Sequence, residues 1–182
     1  MPVRQLQLMA YASLMATLTA VGAYIHVPLG PVPIVLQNLF VLLAGLLLGS
    51  RWGAISIATY LLVGAVGFPV FAGAKGGLAH FIGPTGGYLV GFLAAAWLTG
   101  YISELFQNRA AADVAAVVLG SITIYAIGAP WLKITTGLTW GKAFTLGMLP
   151  FLFGDVLKAG AAVMLARTLR PLVVRHPEPA AT

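Results

Sequence analysis

The chain has 182 residues, of which 60% are hydrophobic and only 8% charged, with a formal net charge of +6 and no cysteine. Soluble domains carry about 25% charged residues, so this composition, with mean hydropathy +0.97, cannot cover a water-facing surface and points to an integral membrane protein. The absence of cysteine excludes disulfides and thiolate metal sites, and the basic residues sit at the ends of apolar stretches, where membrane topology accounts for them without nucleic acid.

Six apolar stretches approach the ~20 residues needed to cross a bilayer core, which predicts an all-α bundle of six transmembrane helices in one domain covering residues 1–182. The first span is expected over 6–25. Arg4 before it and the small Val21-Gly22-Ala23 after it resemble a signal peptide, but the stretch is too long for a signal core. HVPLGPVP (26–33) follows, where three prolines and a glycine break the helix. The second span covers about 34–49, a very short turn falls at Ser50-Arg51, and the third covers about 52–66. Residues 67–87 are the least helical part of the chain, with seven glycines and two prolines. The fourth span covers about 88–106, the polar turn QNRAAAD occupies 107–113, and the fifth span covers about 114–132. A half-polar loop is expected over 133–147. Pro150 suits the first turn of a helix, and the sixth span runs over about 150–169 into a polar, frayed tail.

An even number of spans places both termini on one side, with Arg4, Arg51, Arg109, Arg167, Arg170 and Arg175. The other side carries Lys75, Lys133 and Lys142. The positive-inside rule then makes both termini cytoplasmic. The connections on the outer side are long and rich in Gly, Pro and aromatics, and loops of that kind usually carry function.

The costliest residues lie in the sixth span, where PFLFGDVLKAGAAVML carries Asp155 and Lys158. Charges within a span cost several kcal/mol. Three residues apart on a helix, these two share a face and can pair. An ion pair that only glues helices together is the plain alternative, but an intramembrane ionisable pair beneath long outer loops reads first as a ligand site. Together the pair offers acceptors and donors, which suits an uncharged polar group such as a urea or amide. Gln37 and Asn38, early in the second span, serve equally well as interhelical hydrogen bonders or ligand contacts. In the 67–87 loop, Phe71, Lys75, His80 and Tyr88 are candidates at the cavity mouth, with Lys75 or His80 able to meet a ligand carboxylate. Most other aromatics there read as interfacial belt residues. His26, His80 and His176 lie on three separate segments, so no metal site is expected. Glu104 and Asp113 flank the inner turn, which leaves no second acid near Asp155 for an intramembrane enzyme.

GPTGGYLVGF (83–92) has a glycine-rich turn opening a helix, but its spacing is not that of a phosphate-binding loop, so the chain carries no ATPase of its own. Gly86 and Gly87 permit close backbone approach, and the start of the fourth span offers free N–H groups and Tyr88 to a ligand. In the first span Ala12, Ala16 and Ala20 form a small-residue stripe, suited either to another subunit's helix or to packing inside the bundle.

These pieces together resemble the BioY family, the biotin-binding membrane subunits (S-components) of energy-coupling factor transporters. The resemblance covers nearly the whole chain, through A-x-x-x-A at 12–16, PVPIVLQ at 31–37, GFPVFAG at 67–73, GPTGGYLVGF at 83–92 and FLFGDVLKA at 151–159. GPTGGYL together with GD-x-x-K is its specific part. It implies a six-helix S-component fold in a bacterial or archaeal cytoplasmic membrane, with biotin bound near the outer surface under the loops between spans one and two and between spans three and four. Asp155 and Lys158 would contact the ligand, and Ala12 and Ala16 would dock a transmembrane coupling subunit that joins two ATP-hydrolysing cytoplasmic subunits. The family more often has Thr where this chain has Asn38, so no role carries over to that position. A thiamin or riboflavin S-component, or a transporter acting without the coupling module, stands as the alternative.

Overall fold

The computed structural model describes residues 3–28 and 31–173. The expected tail with Arg175 and His176, and two residues of the 26–33 break, lie outside the described residues. In chain order the elements are α1 (Val3–Tyr24), a short hairpin of β1 (His26–Val27) and β2 (Ile34–Val35), α2 (Gln37–Val66), α3 (Ala79–Ile82), α4 (Gly86–Leu105), α5 (Ala110–Thr136), α6 (Trp140–Gly147) and α7 (Leu149–Val173).

Five helical stretches are long and apolar enough to cross a membrane. One of them, α2, holds two spans. Gly49 has non-helical angles of φ 77° and ψ −178°, and the chain doubles back there. Gln37 and Tyr60 would lie about 34 Å apart on a straight helix, yet Gln37 Nε2 donates to the Tyr60 hydroxyl at 2.6 Å. Counting the two arms of α2 separately gives six long helices. The expected two-residue turn at Ser50-Arg51 is therefore tighter than the sequence suggests, a reversal at one glycine. Glu104 on α4 completes it by accepting from the Ser50 backbone N–H at 3.2 Å and from its hydroxyl at 2.7 Å.

The bundle is layered by contact. Helix α2 packs on α1, α4 and α7, α4 packs on α5, and α6 lies between α5 and α7. The core includes Leu42, Ile57, Phe92, Ala95, Ala116 and Ile124, while Leu62, Val118, Ile122, Val156, Leu157 and Met164 face outward. An apolar exterior over satisfied helical backbone is what a hydrocarbon solvent demands.

Several sequence expectations are corrected here. Residues 133–147 are not a loop. Helix α5 continues to Thr136, and α6 starts after Thr139, whose hydroxyl caps the Lys142 N–H at 3.4 Å. Trp140, Ala143, Phe144 and Gly147 repeat at helical spacing, with Ala143 and Gly147 buried. The 67–87 loop contains the single turn α3, and α7 extends beyond the expected end at 169. Helix α5 begins at Ala110, so Asp113 lies in its first turn instead of in a polar turn.

Asp113 is fully buried. Arg170 on α7 grips it bidentately, Nη1 to Oδ2 at 2.9 Å and Nη2 to Oδ1 at 3.1 Å. Ser103 on α4 donates to Asp113 Oδ1 at 2.5 Å, and Arg170 Nη2 also donates to the Leu46 carbonyl on α2 at 2.9 Å. Arg170 is thus more than a topological charge, because one guanidinium joins four helices at the end that holds the Gly49 reversal.

Ala12 and Ala16 pack against neighbouring helices. Both are buried inside the bundle, and the Ala12 carbonyl accepts from Ser56 on α2 at 2.8 Å. Ala20 is half-buried beside them.

Gly49 occupies backbone space that is essentially glycine-only, and a Cβ there would collide with the Glu104 carboxylate. Gly49→Ala is expected to destabilise the protein by about 1–3 kcal/mol, read as a lowered midpoint of thermal unfolding in detergent. An unchanged midpoint would show that the reversal is not strained.

Candidate functional site

At the end of the bundle opposite Gly49 lies a cavity of about 590 Å³, within the range of small-molecule sites. Its walls include Phe71, Tyr88, Leu89, Phe92, Ile124 and Phe151. The hairpin segment contributes His26, Pro31 and Val35, and the 67–85 segment contributes Lys75, His80 and Thr85. Both long loops expected from sequence thus cover one cavity. They are tied down at their edges, since the Tyr24 hydroxyl donates to the Pro69 carbonyl and Trp131 Nε1 donates to the Gly83 carbonyl at 3.0 Å.

The polar side of the cavity is built around Asp155. Its Oδ1 accepts from Lys158 Nζ at 2.9 Å and from Asn38 Nδ2 at 3.4 Å, and its Oδ2 accepts from the Tyr125 hydroxyl. The i,i+3 pairing expected from sequence is present. Lys158, Asn38 and Tyr125 line the cavity, and Asp155 lies buried behind them. A charged pair in an apolar bundle is stable only with its remaining hydrogen bonds met, and Tyr125 and Asn38 meet them. Tyr125 was not singled out from the sequence. A tyrosine within an otherwise apolar span, whose hydroxyl needs a partner, is the signal that marks it.

The other candidates divide. Gln37 lines the cavity but spends its amide N–H on Tyr60, whose hydroxyl donates in turn to the Val70 carbonyl at 3.3 Å. Phe71 is fully buried on the wall, with the His80 ring stacked on it at 5.1 Å and Tyr60 edge-on at 5.6 Å. Tyr88 presents its ring to the cavity, while its hydroxyl donates to the Gly147 carbonyl at 2.8 Å. Gly86 and Gly87 sit against the Phe81 backbone and the Trp131 side chain, where any Cβ would clash. Close packing of α4 on its neighbours, not cavity lining, is what requires glycine at these two positions. Among the described residues no three His, Asp or Glu side chains are grouped as metal ligands.

His80 and Lys75 share the mouth. Burial first, and the Lys75 charge second, hold the His80 imidazole below the usual 6.5. It is therefore neutral at pH 7, with Nε2 paired to the Thr85 hydroxyl at 3.1 Å. Lys75 is left as the cation at the mouth.

A six-span bundle holding an apolar-walled cavity with one ion pair under two loops defines a multi-pass membrane protein with a small-molecule site. Its fold matches the crystal structure of the S-component for biotin from an ECF-type ABC transporter, with TM-score 0.88 and 30% sequence identity over 93% of this chain and 94% of that one. The chain belongs to the BioY family, whose family model matches residues 1–175. Similar relatives are the "Probable biotin transporter BioY" of Pyrococcus horikoshii, 45% identical over 87% of this chain and 93% of its own length, and the "Biotin transporter BioY" of Thermotoga maritima, 41% identical over 91% and 96%.

The depressed His80 value has a consequence for stability. The unfolded chain takes up this proton more readily than the folded one, so stability is full above about pH 6.5 and falls as pH drops below it. Thermal unfolding in detergent between pH 8 and 5 is expected to show this fall, and His80→Gln to flatten it. Identical pH profiles for both proteins would refute the assignment.

Proposed function

We propose that this protein is the substrate-binding subunit of a biotin uptake system. The observation that carries the reading is the Asp155–Lys158 pair beside an apolar-walled cavity in a BioY-family fold. Biotin has a ureido ring that donates and accepts, a thiophane ring and aliphatic chain, and a carboxylate. The cluster of Lys158, Asn38 and Tyr125 around Asp155 receives the ureido ring. Phe71, Tyr88, Phe92 and Phe151 wall the apolar part. Lys75 takes the carboxylate in preference to His80, because a neutral imidazole brings no charge to it. The Asp155–Lys158 pair is neutral as a unit, so Lys75 leaves the cavity suited to a monoanion.

The chain binds and carries its ligand and performs no covalent chemistry. The cavity faces outward and the termini lie in the cytoplasm, a reading supported by Arg4, Arg51, Arg109 and Arg167 at the far end against Lys75, Lys133 and Lys142 around the cavity end. The membrane is the cytoplasmic one. The energy comes from ATP hydrolysed by two cytoplasmic subunits, linked through a transmembrane coupling subunit. With Ala12 and Ala16 covered, Ala20 is the member of the expected docking stripe still open to that partner.

Calorimetry on the purified subunit tests the reading with biotin, thiamin and riboflavin. Sub-micromolar binding of biotin alone is expected, weakened by Asp155→Asn and by Lys158→Ala. Lys75→Ala is expected to weaken biotin by about tenfold or more, the scale of a charge-assisted hydrogen bond, and to leave biotin methyl ester unchanged. Folded wild-type protein that binds no biotin would sink the proposal.

A further inference from the structure

The cavity has more room than biotin uses. Its volume is about 590 Å³, whereas biotin fills about 300 Å³ at the packing density of protein interiors. The character of the wall also changes along the cavity. Phe71, Tyr88, Phe92 and Ile124 present large, covered side chains at its inner part. Gly73, Lys75, Gly76 and Ala79 line its outer edge and are exposed. Of these only Lys75 has a long side chain, so the edge is wide where the inner part is close. The segment that carries them is pinned: the Gly77 N–H donates to the Gly64 carbonyl at 2.7 Å, and Phe71 and Lys75 exchange backbone hydrogen bonds at 2.8 and 3.3 Å. The width therefore belongs to the folded loop. Among the described residues the acids are Glu104 and Asp113 at the opposite end and Asp155, which is buried and paired with Lys158. The mouth thus carries a cation and no free carboxylate.

We infer that the site takes amides of biotin as well as the free acid, with the outer part of the cavity holding an extension joined at the ligand's carboxyl carbon. The inference rests on the biotin reading, which turns the carboxyl end toward Lys75, and widens the substrate class to carboxyl-linked conjugates. An aminohexanoyl or lysyl extension adds about 170 Å³ at the same packing density, which the surplus volume holds with the loops in place. The glycines and Ala79 at the edge set no bulky side chain in its way. Charge then selects among extensions. Amide formation takes the negative charge of the free acid away from Lys75, and a carboxylate at the far end of the extension returns one to the same mouth. An ammonium at that end meets Lys75 and no acid, and like charges set against each other suppress binding. Extensions that end in a carboxylate are therefore preferred to those that end in an amine.

The test is calorimetry on the purified subunit with biotin, its amide with aminohexanoic acid and its amide with cadaverine. The aminohexanoate amide is expected to bind within about tenfold of biotin, the scale of the one charge-assisted hydrogen bond given up at Lys75. The cadaverine amide is expected to bind more weakly than the aminohexanoate amide. Ala79→Trp fills the outer edge. It is expected to leave biotin within about twofold, as for a surface substitution, and to weaken the aminohexanoate amide about tenfold or more, the scale of an overpacked site. If Ala79→Trp does not fold, Ala79→Leu reads the same edge. An aminohexanoate amide about a thousandfold or more weaker than biotin would overturn the inference while leaving the biotin reading intact. So would an Ala79 variant that changes biotin and the amide by the same factor, since the extension would then not lie at that edge. Wild-type protein that binds no biotin would remove the reading on which the inference stands.

Discussion

Hydrocarbon offers no hydrogen bonds, so every polar group carried into the bundle has to find its partner within the protein. That constraint organises the structure at both ends. At one end Asp113 is matched by the Arg170 guanidinium and the Ser103 hydroxyl, and Arg170 extends to the Leu46 carbonyl. At the same end, at the surface, the exposed Glu104 accepts from the N–H and hydroxyl of Ser50 and closes the Gly49 reversal. Asp113 and Arg170 are each costly alone, and removal of one partner from a buried ion pair leaves the other uncompensated. The pairings therefore specify which helices meet and at what height.

At the other end the same constraint produces a binding site. Asp155 and Lys158 are paired, Tyr125 and Asn38 fill out the carboxylate's hydrogen bonds, and Gln37 is held by Tyr60. The first arm of α2 runs only from 37 to 48, about 18 Å at 1.5 Å per residue. Its opening turn accordingly starts within the bundle, where Gln37 is 2% exposed. Rigid helices thus hold the polar groups, and tied loops roof them. A site built this way spends little ordering entropy on its ligand. Among the described residues Asn38 Oδ1 is the one buried side-chain polar atom without a hydrogen-bond partner.

Much of this was legible in the sequence, for a simple reason. Hydropathy, Pro/Gly breaks and the cost of charge in a span are local properties of the chain. They located the long apolar helices, the two covering loops, the Asp155–Lys158 pair and the family resemblance. The misses share a cause as well. Residues 133–147 read as half-polar because α6 buries only one stripe, a pattern weak over so short a stretch. Asp113 and Arg170, 57 residues apart, each looked like an ordinary charge at a span end.

What the sequence determined by itself is the solvent this protein requires, its all-helical character and the chemistry of its most expensive residues, since these follow from composition and from spacing within single helices. Only the tertiary structure decided how those residues are used. It turned Ala12 and Ala16 inward, set Gly86 and Gly87 to close packing, gave the Tyr88 hydroxyl to Gly147, and brought Tyr125 and Asn38 to Asp155. Those outcomes depend on which helix faces which and at what depth, and contacts between residues dozens of positions apart are not encoded in any one segment.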